Sequence, residues 1–307
     1  MKLRVKDPQG YFFYRRVLGV LNHSFVPFLM GGGFAFEFYT HIGRSTKDMD
    51  LLVRRCDLEQ AFEVLTKAGF ETELTFPHWL GKVYYEESFI DIIFSSGNGL
   101  CEVDDLWFTH APSGQIFGLP VKFCPPEEMI WTKAFVMERE RYDGGDVAHL
   151  LLQCGDQLDW HRLVSRFGVH WRVLLSHLIL FGYIYPSERQ RIPRHVMSEL
   201  LRLLEHQLIA SVSPDPACQG PLLSRTQYRA DVEKMGYKDA RLAPGGKMSP
   251  RETIDWTPPL MPKNRNCNCN YRRRRSRDAS GRSNDEGCRN YRFQLTIERS
   301  GSKDEEA

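Results

Sequence analysis

The sequence predicts an α+β protein: a mixed-sheet core, then a helical region, then a disordered C-terminal tail. Three observations predict it. Strand-length apolar runs, "DMDLLV", "FETELTF", "KVYYEE" and "FIDIIFS", crowd into residues 48 to 95 with a single helix among them, too few crossovers for an all-parallel sheet. Beyond about residue 126 the apolar residues recur at helical spacing. From Lys263 onward 12 Lys/Arg stand against 7 Asp/Glu, a net of +5 that leaves −3 for the preceding residues, in a composition of Arg, Asn, Ser and Gly too poor in apolar groups to offset the entropy of ordering.

Taken in order, residues 12 to 22 read as a helix, because Phe12, Phe13, Val17, Leu18 and Leu21 recur near its period. "FVPFLM" reads as a short buried strand that ends at Gly31, Gly32 and Gly33. The residues of "FAFEFYTH" suit strand as well as helix; its position after the glycines decides for helix. "DMDLLV" is the next strand, "LEQAFEVLTKAG" an amphipathic helix closed by Gly69, and three further strands follow. "PVKFCPPEEMIWTKAFVMERERY" predicts a strand and then a helix whose first turn suits Pro126, Glu127 and Glu128. Helices are then expected at about 145–154, at 159–182 with a break near Gly168, and at 193–209. The expected organisation is a core over 1–155, a helical region over 156–212, an irregular Pro- and Gly-rich arm packed on the core over 213–262, and a disordered basic tail over 263–307.

Several classes are disfavoured by composition. With 307 residues, 42% of them hydrophobic, the chain can build a sizeable core. No uninterrupted apolar run reaches the roughly 18 residues of a membrane span; "WRVLLSHLILFGYIYP" is broken by Arg172, Ser176 and His177. The start "MKLRVKDPQG" has no apolar leader, so a cytoplasmic protein without membrane contact is expected. Eight scattered cysteines do not suggest a disulfide framework, and the cluster Cys267, Cys269 and Cys288 lacks a fourth ligand for zinc.

The stretch "GGGFAFEFYTHIGRSTKDMDLLV" carries the chemistry. Asp48 and Asp50 are two residues apart on a strand, so both point to one face while Met49 and Leu51 point to the other. Two carboxylates about 5 Å apart repel by about 3 kcal/mol at an effective dielectric near 20, so the spot calls for positive charge. Asp91, alone among apolar neighbours in "SFIDIIFS", is a third acid if its strand lies beside the first, although Glu86, Glu87 or Glu102 could take that place. Three hard oxygen donors suit Mg²⁺ or Mn²⁺ in a phosphoryl or nucleotidyl displacement. A strand, a glycine turn and a helix N-terminus present backbone N–H groups to an anion without a side chain in the way. Arg44, Ser45, Thr46 and Lys47 add charge and hydroxyls, so the stretch describes a bound nucleoside triphosphate, NTP. A dinucleotide-binding glycine motif fails at Phe36, and "GGKMS" has Met248 where a P-loop needs Ser or Thr.

These residues resemble the signature of the DNA polymerase β superfamily of nucleotidyltransferases, in which a glycine turn precedes a D-x-D strand and a third Asp follows on a later strand. Gly32, Gly33, Asp48, Asp50 and Asp91 match those positions. With Ala35, His41, Gly43, Arg44 and Thr46 the pattern is closest to small bacterial nucleotidyltransferases, including toxin-type and antibiotic-modifying relatives. The resemblance covers about residues 10–155. It implies a mixed-sheet nucleotidyltransferase core, with Asp48, Asp50 and Asp91 as metal ligands and catalytic residues and Gly32, Gly33, Arg44 and Thr46 on the nucleotide. "PPEEMIWTKAFVMERERYDGGDVAHLL" is similar to the second block of these proteins, a Lys helix followed by an Asp-rich turn. That implies a site role for Lys133 and places Asp143 and Asp146 near it.

Each residue also has a plainer reading. Lys133 on an apolar face either extends its stem to solvent or reaches an acidic site. Asp143 followed by Asp146 is also an ordinary helix start. His41, His149, His161, His170 and His177 have no ligand spacing and read as structural. Arg272 to Arg275 form a solvated charge run, or a weak contact to nucleic acid. The expected function is Mg²⁺-dependent transfer of NMP from an NTP to an unknown acceptor, a small molecule, RNA or protein, with release of pyrophosphate. The alternative is a catalytically inactive nucleotide- or RNA-binding module of the same fold.

Overall fold

The computed structural model describes residues 8–43, 48–211 and 214–257, all within one compact unit that spans residues 1–261. Arg44 and Thr46, the cysteine cluster, the arginine run and the tail expected to be disordered lie outside the described residues.

Helix α1 (Pro8–His23) buries Phe13, Tyr14, Val17, Leu18 and Leu21, which form one stripe at helical spacing. Strand β1 is only Leu29–Met30, shorter than the expected run from Phe25. Phe25 takes a φ of 55° and Pro27 has no N–H to donate to a ladder, so pairing starts beyond them. Helix α2 (Gly32–Thr40), β2 (Met49–Leu52), α3 (Leu58–Lys67), β3 (Glu71–Phe76), β4 (Leu80–Tyr85) and β5 (Ser88–Ile93) follow. The sheet runs β1-β2-β5-β4-β3. Strands β2 and β5 are parallel and the other neighbours antiparallel, so the sheet is mixed as the strand count predicts.

Next come α4 (Asp105–Thr109) and the hairpin of β6 (Ser113–Ile116) and β7 (Leu119–Lys122), which the sequence reading did not resolve as a pair. Its two-residue turn, Phe117-Gly118, has φ of 53° and 76°. An Asn-Gly turn would have signalled the hairpin, whereas Phe in that conformation gives no such signal.

Helices α5 (Pro126–Ala134), α6 (Gly144–Cys154), α7 (Trp160–Phe167), α8 (Trp171–Ile184) and α9 (Arg194–Ile209) lie close to their expected places, with the break at Gly168. One expectation is corrected: α5 does not run on through Val136 and Met137. These residues turn into a small hairpin over 136–143, where Met137 pairs with Tyr142 and the amide of Asp143 donates to Val136 O at 3.1 Å. Trp160–Ile184, taken as one stretch, is long and apolar enough to cross a membrane by length and composition, which the run count above did not register. Leu163, Phe167, Leu174, Leu178 and Phe181 from it are buried in the core, while Val169, Ile179, Leu180, Tyr183 and Ile184 are exposed.

A buried ion network ties α5 to α7. Arg162 contacts both oxygens of Glu128, at 2.5 and 2.6 Å, and Glu127 at 2.5 Å. Arg166 reaches Glu128 at 3.1 Å and Asp104 at 2.6 Å. The two glutamates that suit a helix first turn are therefore packed against guanidinium groups rather than facing water. The remaining described elements are β8 (Ala217–Cys218), α10 (Arg229–Lys234), β9 (Lys238–Asp239) and α11 (Pro250–Trp256). Trp256 of α11 packs on Phe76 and Trp79 beside the β3–β4 turn, with ring centroids 5.5 and 4.9 Å away.

Candidate functional site

Met49 and Leu51 of β2 are fully buried in the core, so alternation turns Asp50 to the opposite face of the sheet. The parallel register places Asp91 of β5 directly beside Asp50, Lys82 of β4 beside Asp91, and Glu73 of β3 beside Lys82. One row of charge therefore crosses four strands. Within it the Lys82 ammonium is bonded to an Asp91 oxygen, with the two side chains 19% and 16% exposed. Lys82 also lies 4.0 Å from the centre of the Phe89 ring.

The glycine turn closes over Asp50. The amide of Gly31 donates to the Asp50 carbonyl at 2.9 Å, which fixes the turn to the strand. Gly32 opens α2 with a φ of 50°, and a Cβ placed on it would lie 1.6 Å from an Asp50 carboxylate oxygen. Any side chain there would be strained in its backbone and would displace the Asp50 carboxylate, so the position suits glycine. Gly31, which caps α2, has no side chain to bond the first-turn amides, so the helix N-terminus stays open to an anion.

Burial, and the charges of Asp48 and Asp91, push the Asp50 carboxyl up to about 7, against the opposing pull of Lys133 and Arg141. Lys133 of α5 reaches Asp146 at 2.7 Å and Asp143 at 3.4 Å. Arg141 grips Asp143 through two bonds of 3.0 and 2.9 Å. Asp143 precedes α6 but makes no capping bond; its carboxylate turns to Lys133 and Arg141 instead. Burial raises that carboxyl, and the Arg141 bonds with the charges of Lys133 and Arg141 outweigh it, so the group ends below the usual carboxylate range.

The structure thus brings Gly32, Asp48, Asp50, Asp91, Lys133, Asp143 and Asp146 into one region; Arg44 and Thr46 fall outside the described residues. Among the described residues no three acidic, His or Cys side chains form a ready-made metal cage, since Asp91 is turned onto Lys82. The donor set still fits a divalent cation in kind: hard carboxylate oxygens, with the Asp50 carboxyl held high by burial and then by the charges of Asp48 and Asp91. Lys82 and Arg141 were missed in the sequence. Alternation in "KVYYEE" places Lys82 on the Asp91 face only once the strand register is known, and Arg141 sits in a charge run, "ERERYD", that looks solvated. His177, read as structural, is buried with a ring nitrogen 2.9 Å from the Ala134 carbonyl.

A family described as uncharacterised nucleotidyltransferases matches residues 14–175, more than half of the chain and all of the elements just described around the site. The chain belongs to this family and is a nucleotidyltransferase. No curated protein matches in sequence. Among solved structures the chain is similar to the antibiotic-resistance factor ANT(2'')-Ia, at 17% identity and a TM-score of 0.40, over 56% of this chain and 97% of that one. It is also similar to the lincosamide antibiotic adenylyltransferase LnuA, at 15% identity and 0.34, over 47% and 96%. A third is JHP933 of Helicobacter pylori, at 12% and 0.32, over 66% and 97%.

Proposed function

We propose that the protein transfers NMP from an NTP to an acceptor in a Mg²⁺-dependent reaction that releases pyrophosphate. The observation that carries the reading is the contact of the Asp50 carboxylate with the bare Cα of Gly32, beside Asp91 in register. It sets a carboxylate-rich strand against an open helix N-terminus, an arrangement that suits a cation and a phosphate side by side. Asp48, Asp50 and Asp91 would hold the cation, with Lys82 giving up Asp91 to it. When bound, it neutralises the clustered carboxylates and withdraws charge from the phosphoryl oxygens. Gly32 and Gly33 offer their amides to the triphosphate, and Arg44 and Thr46 extend that contact. Lys133, held by Asp143 and Asp146, keeps a fixed cation beside Asp50. The acceptor oxygen bonds to the α-phosphorus as the α–β bridging bond breaks, and pyrophosphate leaves. We read the acceptor as a small molecule, RNA or protein met in the cytoplasm.

Calorimetric titration of the full chain with each NTP, with and without Mg²⁺, tests this against an Asp48→Asn/Asp50→Asn variant. Mg²⁺-dependent binding to the wild type that the double variant lacks supports the donor site. Mg²⁺-independent binding, equal in both, would leave an inactive nucleotide- or RNA-binding module as the better reading.

A further inference from the structure

The hairpin over 136–143 carries Arg141 and Asp143, yet little within it holds its shape. Its own backbone bonds are the Met137–Tyr142 bridge, the amide of Glu138 on Arg141 O at 2.8 Å and the amide of Asp143 on Val136 O. A two-stranded ribbon of this length is not stable by itself in water.

The missing support comes from residues 222–227, more than 80 positions along the chain. Met137 is held at both ends of its peptide: its amide donates to Leu223 O at 3.1 Å, and its carbonyl accepts from the Gln227 side chain at 2.9 Å. The Glu138 carboxylate accepts three bonds from the arm: from the Ser224 hydroxyl at 2.5 Å, and from the Arg225 amide and its Nε at 3.0 Å each. Arg225 is itself covered by the Trp256 ring, 4.6 Å from its guanidinium carbon. On its other side the same segment is tied to the loop after β5, the strand of Asp91, by the Asn98 side chain on Leu222 O at 2.8 Å. The segment thus spans from the Asp91 strand to the Arg141 hairpin.

We infer that this segment is a clamp on the nucleotide site, with Glu138 as the positioning residue that holds Arg141 and Asp143 toward Asp50. The inference rests on the proposed donor site. It adds that Arg141 is a triphosphate contact and that the arm sets its place. Burial raises the Glu138 carboxyl, while the bonds from Arg225 and Ser224 bring it below its usual range, so it stays charged at neutral pH. The Arg141 side chain is 69% exposed while its carboxylate partner is 10% exposed, so the guanidinium is anchored at one edge and open at the other to an incoming anion.

The experiment is a double-variant cycle on the full chain with Glu138→Ala and Arg141→Ala. Its readouts are Mg²⁺-NTP affinity by calorimetry and amide hydrogen exchange over 136–143. Glu138→Ala is expected to weaken NTP binding by about tenfold, the value of one charge-assisted contact. It should also speed exchange in the hairpin, and have no further effect on affinity once Arg141 is Ala. Losses that multiply, or an affinity and an exchange pattern unchanged by Glu138→Ala, would overturn the clamp while leaving the donor site standing. If Glu138→Ala does not fold, Arg225→Met is read by the same two measurements, with Arg225→Lys as the partial rescue. Should the wild type bind no NTP at all, the donor reading fails and the positioning role falls with it, while hairpin exchange still reports whether the arm holds 136–143.

Discussion

Two clusters of charge sit at opposite ends of α5. At its first turn Glu127 and Glu128 are buried against Arg162 and Arg166, and the more exposed Asp104 and Asp159 meet the same two guanidinium groups from outside. Around Lys133 in its last turn, Asp48, Asp50, Asp91, Asp143 and Asp146 gather with Lys82, Lys133 and Arg141 among the described residues. The first cluster joins helices, and each of its buried glutamates is met by a guanidinium of the same network. The second lies beside a helix N-terminus that no side chain caps, and there burial and the charges of Asp48 and Asp91 push the Asp50 carboxyl up to about 7. Position on a helix does not separate the two clusters, whereas the state of their buried carboxyls does: Glu128 is gripped by two guanidinium groups, and Asp50 is pushed toward its protonated form.

The largest effect that would break this contrast lies at Gly32. Replacement by Ala puts a methyl where the Asp50 carboxylate stands, so Gly32→Ala should abolish Mg²⁺-NTP binding in calorimetry. Retained affinity would mean that the turn does not meet the nucleotide.

The helix-joining cluster should respond in stability instead. Glu128→Ala leaves Arg162 and Arg166 without their shared partner, and urea denaturation should show a loss of about 3–5 kcal/mol. A change below about 1 kcal/mol would show that the network is not the tie between α5 and α7.

The third expectation concerns pH. The Asp50 carboxyl is raised in the folded protein to about 7 from an ordinary value of 3.8. The folded state therefore holds a proton that the unfolded chain has lost. Its contribution to stability is complete below about pH 4 and disappears as pH rises through about 7, a span on the order of a few kcal/mol. Metal-free protein should thus melt lower at pH 8 than at pH 5 by this contribution. Asp50→Asn should flatten that slope, and Mg²⁺ should raise the melting temperature most at the alkaline end. A slope identical in wild type and Asp50→Asn would remove Asp50 as its cause.

The smallest effect is expected from the tail. Deleting residues 263–307 should leave the melting temperature and NTP affinity within error, and RNA retention on a filter unchanged. Loss of RNA retention on truncation would favour a binding role for the basic segment.

The glycine turn, Asp50 and the strand that carries it were legible because they are neighbours in the chain: β1, α2 and β2 lie within residues 29–52, and each step is set by local backbone needs. Asp91 was legible as an acid out of place in an apolar strand, and as the partner of Asp50 only through the resemblance or on the condition that the two strands are neighbours. Its position beside Asp50 follows from a parallel pairing between strands some 40 residues apart, with α3, β3 and β4 between them. The end of α5 was misplaced for a related reason. Val136 and Met137 suit a helix, but Val136 O accepts from the amide of Asp143, and Met137 is held by Leu223 and Gln227.

By itself, then, the sequence determined the class of fold, the glycine turn and the acids proposed to hold the cation, since alternation, capping and glycine conformation act over a few residues. Tertiary structure alone decided which charges meet: Lys82 with Asp91, Arg141 with Asp143, Glu138 with Arg225, Glu128 with Arg162. Such pairs form where distant segments pack, and a pattern of residue types contains no distance between them.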